Sequence, residues 1–390
     1  SGAPCHRPRR WCYQASLGQL FQSRKAKCAM DSTIDDRPTL TWQEVATVVA
    51  RFGEGFELEK MLPSERDQNF LIRRPDPISG NEDRVVFKVH NPNDSPDFVE
   101  LQSLALERAV AGGASCQRLL RTTGSNEAVE TLTLASGRAC LCRALSFLPG
   151  RMLAEAAAAA ASEQERAALF AEVGRSVGRV SAGLQGLEHP AGDREFPWDL
   201  CACEDVITLR SGDVVAERRH ILDGFLERYR ARLKPVLGRL RRSIAHNDPN
   251  DHNLVVASSG SVGVLDFGDI LRTYTVADAA ICMAYLLFHI SPGAGLLEGV
   301  LPFVLAYHAE CPLEAAEVDA LFGLALMRVC TSVSMSAYQT KLDPDNEYLL
   351  ISAQPAWKLL ERVVAEGIEE WAPAFFRKAL GFDTDGSSGP

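Results

Sequence analysis

The spacing of apolar residues changes near position 150, and the change divides the chain into a strand-rich first part and a helical second part. Trp42, Val45, Val48, Val49 and Phe52 recur at helical spacing behind Thr41, a residue type suited to an N-cap. Strand-like segments follow: Phe56 and Leu58 alternating with acids, then 68–72, then 84–89 with Val85, Val86, Phe87 and Val89. The polar run Leu62-Pro63-Ser64-Glu65-Arg66-Asp67 turns between the first two. Ser95-Pro96 predicts a helix start, with the helix running to about Ala111 and ending at Gly112-Gly113. Strands near 129–134 and 139–145 complete an antiparallel sheet, and Leu148-Pro149-Gly150 then breaks the pattern. Beyond it the spacing predicts a long helix through the alanine run 156–161, a linker over 188–197, an arginine-rich helical stretch over 214–242 interrupted at Pro235, and a buried helix over 279–288.

These elements predict an α+β protein of two lobes: a small N-lobe over 41–147 with an antiparallel sheet and one main helix, and a larger, mainly helical C-lobe over 148–380. Disordered tails are expected at 1–40 and 381–390. A length of 390 residues and a hydrophobic fraction of 46% fit two packed lobes with a sizeable core. The net charge of −10 speaks against a general nucleic-acid binder and suits a cationic small molecule. Eleven cysteines, including the C-x-C pairs Cys140/Cys142 and Cys201/Cys203, lack the usual zinc spacing and read as reduced, buried thiols of a cytoplasmic protein. Six basic residues (Arg7, Arg9, Arg10, Arg24, Lys25, Lys27) precede the first acid, Asp31; a mitochondrial transit peptide and an extension of no structural role both account for them. No run reaches the roughly 18 apolar residues of a membrane span, no membrane partner is expected, and a monomer is the default.

The chemistry-bearing stretch is His246-Asn247-Asp248-Pro249-Asn250-Asp251-His252-Asn253, followed by an apolar run and Asp266-Phe267-Gly268. Phosphoryl transfer asks for a carboxylate near the attacking hydroxyl, oxygen ligands for Mg²⁺ and a cation on the phosphates. Asp248 and Asn253, five residues apart on one loop, can face a common phosphate. Leu254-Val255-Val256 and Val262-Gly263-Val264-Leu265, joined through Ser258-Ser259-Gly260, form a hairpin that brings Asp266 back beside Asn253, both of them hard oxygen donors. Either pattern alone arises by chance in about 5% of chains this long, and the two together in far fewer. Lys88 lies mid-strand, where a lysine ordinarily faces solvent, yet Glu100 follows on the next helix and can pair with it against nucleotide phosphates. No glycine-rich loop precedes Lys88. The turn from Ser64 through Gln68 to Asn69 stands in its place, as a phosphate cover offering backbone N–H groups or as a plain surface turn.

On these residues the chain resembles the aminoglycoside-phosphotransferase-like kinases, and within them the hydroxylysine kinases. The likeness spans roughly 41–371 and includes Leu62-Pro63-Ser64, Asp67-Gln68-Asn69-Phe70, Leu148-Pro149-Gly150-Arg151, Asn250-Asp251-His252-Asn253, Leu265-Asp266-Phe267-Gly268-Asp269, Ser336-Ala337-Tyr338 and Trp357-Lys358. The resemblance implies a two-lobed protein-kinase-like fold with the nucleotide in the cleft. It implies Asp248 as catalytic carboxylate, Asn253 and Asp266 as Mg²⁺ ligands, Lys88 on the phosphates with Glu100 as partner, and a hinge beside the base with Arg143, Leu145 and Phe147. His246 and Asp278 take supporting roles behind the loop. Asp199, Arg328 and Tyr338 fall in segments that resemble the substrate side, as do Trp198, Asn346, Tyr348 and Trp357, although core packing suits the two tryptophans. The implied reaction moves the terminal phosphate of GTP to the side-chain hydroxyl of 5-hydroxy-L-lysine. Nothing in the residues decides GTP against ATP. An amino alcohol, an aminoglycoside or a sugar amine stays open as acceptor, as does a catalytically weak nucleotide-binding protein. Two departures bear on the last alternative: Asn247 stands where the family usually has glycine, and Pro249 replaces a common apolar residue.

Overall fold

A computed structural model of the protein describes residues 36–75, 82–342 and 353–382. Helix α1 (Trp42–Phe52) begins at Thr41, whose backbone N–H and hydroxyl both donate to Glu44 at 2.7 Å. Five strands in the order β1 (Glu57–Leu62), β2 (Gln68–Pro75), β3 (Glu82–Val89), β6 (Ala139–Ser146), β4 (Leu119–Leu120) form an antiparallel sheet, and β5 (Glu130–Thr133) also pairs with β6. Helix α2 (Pro96–Ala111) starts where Ser95 Oγ accepts the Phe98 N–H and stops at Gly112. The two-residue strand β4 carries too short an apolar run to be foreseen.

Strand alternation sorts the sheet into two faces. Phe70, Ile72, Val85, Phe87, Val89, Cys140 and Cys142 pack against Val45, Val48, Val49 and Phe52 of α1. Leu71, Val86 and Leu145 point the other way and join Phe98, Leu101 and Ala105 of α2. Register places Asn69 opposite Lys88 and Lys88 opposite Arg143, a polar row crossing three strands. Residues 36–40, expected in a disordered tail, are instead tied to the sheet. Asp36 pairs with Arg138 at 2.8 Å, and the Leu40 backbone exchanges two hydrogen bonds with the Gln68 amide. Gly381 and Phe382 likewise continue the fold by bonding back to Lys378 and Arg377. Residues 1–35 and 383–390, expected in the two tails, lie outside the described residues.

A second sheet begins after the Leu148-Pro149-Gly150 break. Strand β7 (Arg151–Met152) pairs with β9 (Leu254–Val256), which forms a hairpin with β10 (Val262–Val264); β8 (Arg242–Ala245) pairs with β11 (Leu271–Tyr274). Around these pack α3 (Leu153–Ala158), α4 (Glu163–Leu184), α5 (Cys203–Arg210), α6 (Ala216–Arg228), α7 (Ala277–Leu286), α8 (Leu296–Glu310), α9 (Ala315–Leu342), α10 (Ala353–Glu366) and α11 (Ala372–Ala379). The 28-residue α9 is apolar along most of its length because it runs through the interior, with buried side chains from Val318 to Tyr338. One hydrophobic cluster runs from the α2 face of the first sheet through α4, α7, α8 and α9. The eight described cysteines are free thiols, seven of them buried.

Gly150 lies against β9, where a Cβ would sit 2.5 Å from both Val255 Cγ1 and the Val256 carbonyl oxygen. Gly150→Ala therefore pushes β7 off β9, at a cost of about 1–3 kcal/mol. A thermal melt is expected to show a midpoint lowered by several degrees; an unchanged midpoint contradicts the close approach.

Candidate active site

The loop between β8 and β9 is hung from a single buried acid. Asp278, in the first turn of α7, accepts the His246 N–H at 3.1 Å, the Asn247 N–H at 2.8 Å and the Ser181 hydroxyl at 3.1 Å. His246 then bridges to the hairpin. Its Nε2 lies 2.8 Å from the Leu265 carbonyl and its Nδ1 accepts the Asp248 N–H at 3.2 Å, which assigns the ring proton to Nε2. The edge of the ring meets Phe267 at 4.7 Å. Asn247 adopts φ +67°, so asparagine fills the left-handed position where glycine was expected. Its side-chain oxygen and nitrogen are buried with no protein partner among the described residues.

Asp248 is thereby aimed into the cleft. Its Oδ1 receives Arg328 Nη2 at 2.7 Å, and its Oδ2 receives the amides of Asn250 and Asn253, each at 2.8 Å. Burial pushes this carboxyl well above the usual carboxylate range, while the Arg328 guanidinium pulls the other way. Asn253 also donates to the Asp248 carbonyl at 2.9 Å, so its amide nitrogen is engaged and its oxygen faces away from these partners. The Leu265 N–H bonds the Asn253 carbonyl at 2.8 Å, the last rung of the hairpin, and sets Asp266 alongside. Asp266, at φ +52°, uses Oδ1 for Lys88 (3.1 Å) and the Gly268 N–H (3.0 Å). Asn253 Oδ1 and Asp266 Oδ2 then make a pair of oxygen donors of the kind that Mg²⁺ takes, beside an ammonium that can meet phosphate.

Lys88 is 5% exposed, on the α2 face of the sheet, with Asp67 Oδ2 at 2.8 Å and Asp266 Oδ1 at 3.1 Å. Burial works against its charge, but the two carboxylates overcome it and hold its proton more tightly than usual. Asp67 and Asp266 are both held below the usual carboxylate range; burial opposes this and Lys88 outweighs it.

One expected contact is not made. Glu100 does not reach Lys88: its carboxylate is 64% exposed and faces His189 at 3.8 Å, because the helical phase of α2 turns it outward. The Arg143 side chain turns into the interior. Its guanidinium is buried and donates to His90 Nε2, Ser103 Oγ and Gln102 Oε1 at 2.9, 3.0 and 2.5 Å. Gln68 clamps Leu40 on the α1 side of the sheet, the opposite face from Lys88. Asn69 shares the Lys88 face, and Ser64 Oγ accepts the Asp67 N–H at 3.2 Å, bracing the turn. Leu145 is buried in β6, and Phe147 N–H bonds the Arg84 carbonyl at the last position before the chain leaves the sheet. Asp199 uses Oδ1 to accept the Thr273 hydroxyl and the Cys201 N–H, fixing its own loop. Arg328 is committed to Asp248 and to the Trp198 carbonyl at 2.9 Å, with its guanidinium 4.6 Å over the Trp198 ring. Tyr338 lies ten residues further along α9, about 15 Å from Arg328, with Arg210 stacked on its ring. Trp357 is buried in the core. Asn346 and Tyr348 lie outside the described residues.

Asp67, His90 and Asp94 gather their ligand atoms within 4.8 Å of one another, but they do not form a metal site. Arg143 donates into His90 Nε2, so Nδ1 carries the proton toward Asp94 at 3.4 Å, and that ring offers no lone pair. Asp67 was missed from the sequence although strand parity places it with Asn69 on the Lys88 face.

The unpartnered Asn247 side chain and its positive φ generate a prediction. Asn247→Gly is expected to melt at or above the parent temperature. Asn247→Val, β-branched in a left-handed position, is expected to lose on the order of 1–3 kcal/mol. Denaturant titration of both variants checks this, and equal midpoints would refute the backbone assignment.

The site can be set beside known proteins. The chain is 29% identical over 402 residues to a hydroxylysine kinase of Mus musculus, covering 96% of this chain and 98% of that one. It is 31% identical over 369 residues to a hydroxylysine kinase of Danio rerio, covering 90% and 99%. Among solved structures, an amicoumacin kinase in complex with AMP-PNP and Ca²⁺ superposes with a TM-score of 0.59 at 16% identity, over 87% of this chain and 96% of that one, and shares the fold. The two-lobed kinase-like architecture is thus common to both. Residues 66–311, more than half of the chain, match the model of the phosphotransferase enzyme family, and the chain belongs to that family as a small-molecule phosphotransferase that acts on hydroxyl acceptors.

Proposed function

We propose that the protein transfers the terminal phosphate of GTP to the side-chain hydroxyl of 5-hydroxy-L-lysine in a Mg²⁺-dependent reaction. The observation that carries this reading is the likeness to hydroxylysine kinases along almost their whole length, joined to a site in which Asp248, Asn253, Asp266 and Lys88 converge. The superposed amicoumacin kinase holds a nucleotide analogue and a divalent cation, which supports a nucleotide and a metal here.

In this reading the acceptor hydroxyl lies against the Asp248 carboxylate, which takes its proton as the new O–P bond forms and the bridging bond to the nucleoside diphosphate breaks. Burial raises the proton affinity of that carboxyl, which suits a group that must accept a proton. Arg328 and the Asn250 and Asn253 amides fix its direction. Lys88 meets the phosphates. Asn253 Oδ1 and Asp266 would hold Mg²⁺, which would supply neutralising charge for the phosphates. The left-handed geometry at Asn247 keeps the loop intact, and that favours an active enzyme over a weak nucleotide binder.

The test mixes purified protein with Mg²⁺, GTP or ATP in parallel, and a panel of hydroxylated amines. Release of nucleoside diphosphate is expected with 5-hydroxy-L-lysine, faster with GTP, and not with amino alcohols or aminoglycosides. Stimulation by another amine in its place discards the acceptor and keeps the kinase. Asp248→Asn is expected to lower kcat by at least about a hundredfold while nucleotide affinity holds. A rate within a few fold of the parent removes the role given to that carboxylate.

A further inference from the structure

The geometry points to Asp67 as the residue that positions Lys88, in place of an acid from helix α2. The inference rests on the phosphoryl-transfer reading of the site but not on the identity of the acceptor.

Three acids belong to α2, and none serves the lysine. Asp97 is exposed, Glu100 faces His189, and Glu107 pairs with Arg121 at 2.5 Å. The part of α2 that does face the sheet offers Gln102 and Ser103, and both are engaged by Arg143, the cross-strand neighbour of Lys88. The helix is therefore joined to the sheet one strand away from the lysine, through a guanidinium.

Asp67 approaches from the opposite side, at the end of the turn between β1 and β2. It is buried and both its oxygens are engaged: Oδ2 with Lys88 at 2.8 Å and Oδ1 with the Asn91 N–H at 2.9 Å. Its own N–H is held by Ser64 Oγ at 3.2 Å, and the Asn91 amide donates to the Arg66 carbonyl at 3.1 Å. This acid cannot swing away without dismantling the turn. An ammonium has three N–H bonds. Asp67 and Asp266 take two of them in fixed directions, which leaves the third for a phosphate oxygen. Without Asp67 the nearest remaining carboxylate is Asp266, and the ammonium moves fully onto an oxygen donor needed for the cation. The expected damage is to the transfer step rather than to recognition of the nucleoside.

Asp67→Asn keeps the shape and an acceptor for Asn91 while removing the charge. It is expected to lower kcat by at least about tenfold with nucleoside affinity unchanged, measured by titration calorimetry. Glu100→Gln should stay within about twofold of the parent. Turnover is read with 5-hydroxy-L-lysine or, if that is no acceptor, as basal release of nucleoside diphosphate to water, so a wrong acceptor does not disguise the result. If Asp67→Asn fails to fold, Asp67→Glu retains the charge but displaces the ammonium by one methylene, and the same separation of kcat from nucleoside affinity is expected. Unchanged kcat in the Asp67 variant, a parallel fall in nucleoside affinity, or an equal loss in Glu100→Gln overturns the assignment.

Discussion

A lysine ammonium buried between two carboxylates joins the two parts of this molecule. Lys88 stands on the sheet, Asp67 on the turn beside it and Asp266 on the hairpin of the helical part, all within 3.1 Å of one nitrogen. Lys88 or Asp67 left alone in the interior costs several kcal/mol, so their burial is tolerable only when the sheet and the turn assemble together, and the exposed Asp266 brings the hairpin to the same nitrogen. That last contact couples secondary structures more than 170 residues apart in sequence.

The hairpin side of this arrangement is legible in the chain because it is local. Two short apolar strands separated by Ser258-Ser259-Gly260 leave one register that pairs Leu254 with Val264, and Asn253 and Asp266 follow from it. Asp278 is one step removed, at the start of the next helix, and its place behind the loop is equally well defined. The α1 and α2 boundaries follow from Thr41 and from Ser95-Pro96, whose capping chemistry is set within four residues.

What is not legible depends on orientation. Glu100 lies at a plausible sequence distance from Lys88, but only the rotation of α2 about its own axis decides that Gln102 and Ser103 face inward instead. Gln68 and Asn69 are neighbours of similar chemistry that the pleat sends to opposite faces. Arg328, in a segment that resembles the substrate side, pairs with Asp248 itself, a contact between α9 and a loop 80 residues earlier that no local pattern encodes. Asp199 Oδ1 is engaged by its own turn and by Thr273, a common arrangement for an aspartate ahead of a short helix.

The union of α2 with the sheet through Arg143 also bears on control. Where a helix supplies the acid for the phosphate-binding lysine, displacing that helix switches the enzyme off, and kinases use this as a lever. Here α2 is bolted to β6 by two hydrogen bonds from the buried Arg143 guanidinium, to Gln102 and Ser103, and none of its acids pairs with the lysine. The acid that pairs with Lys88 is held by the sheet and its turn instead, so a swing of this helix leaves that pair in place.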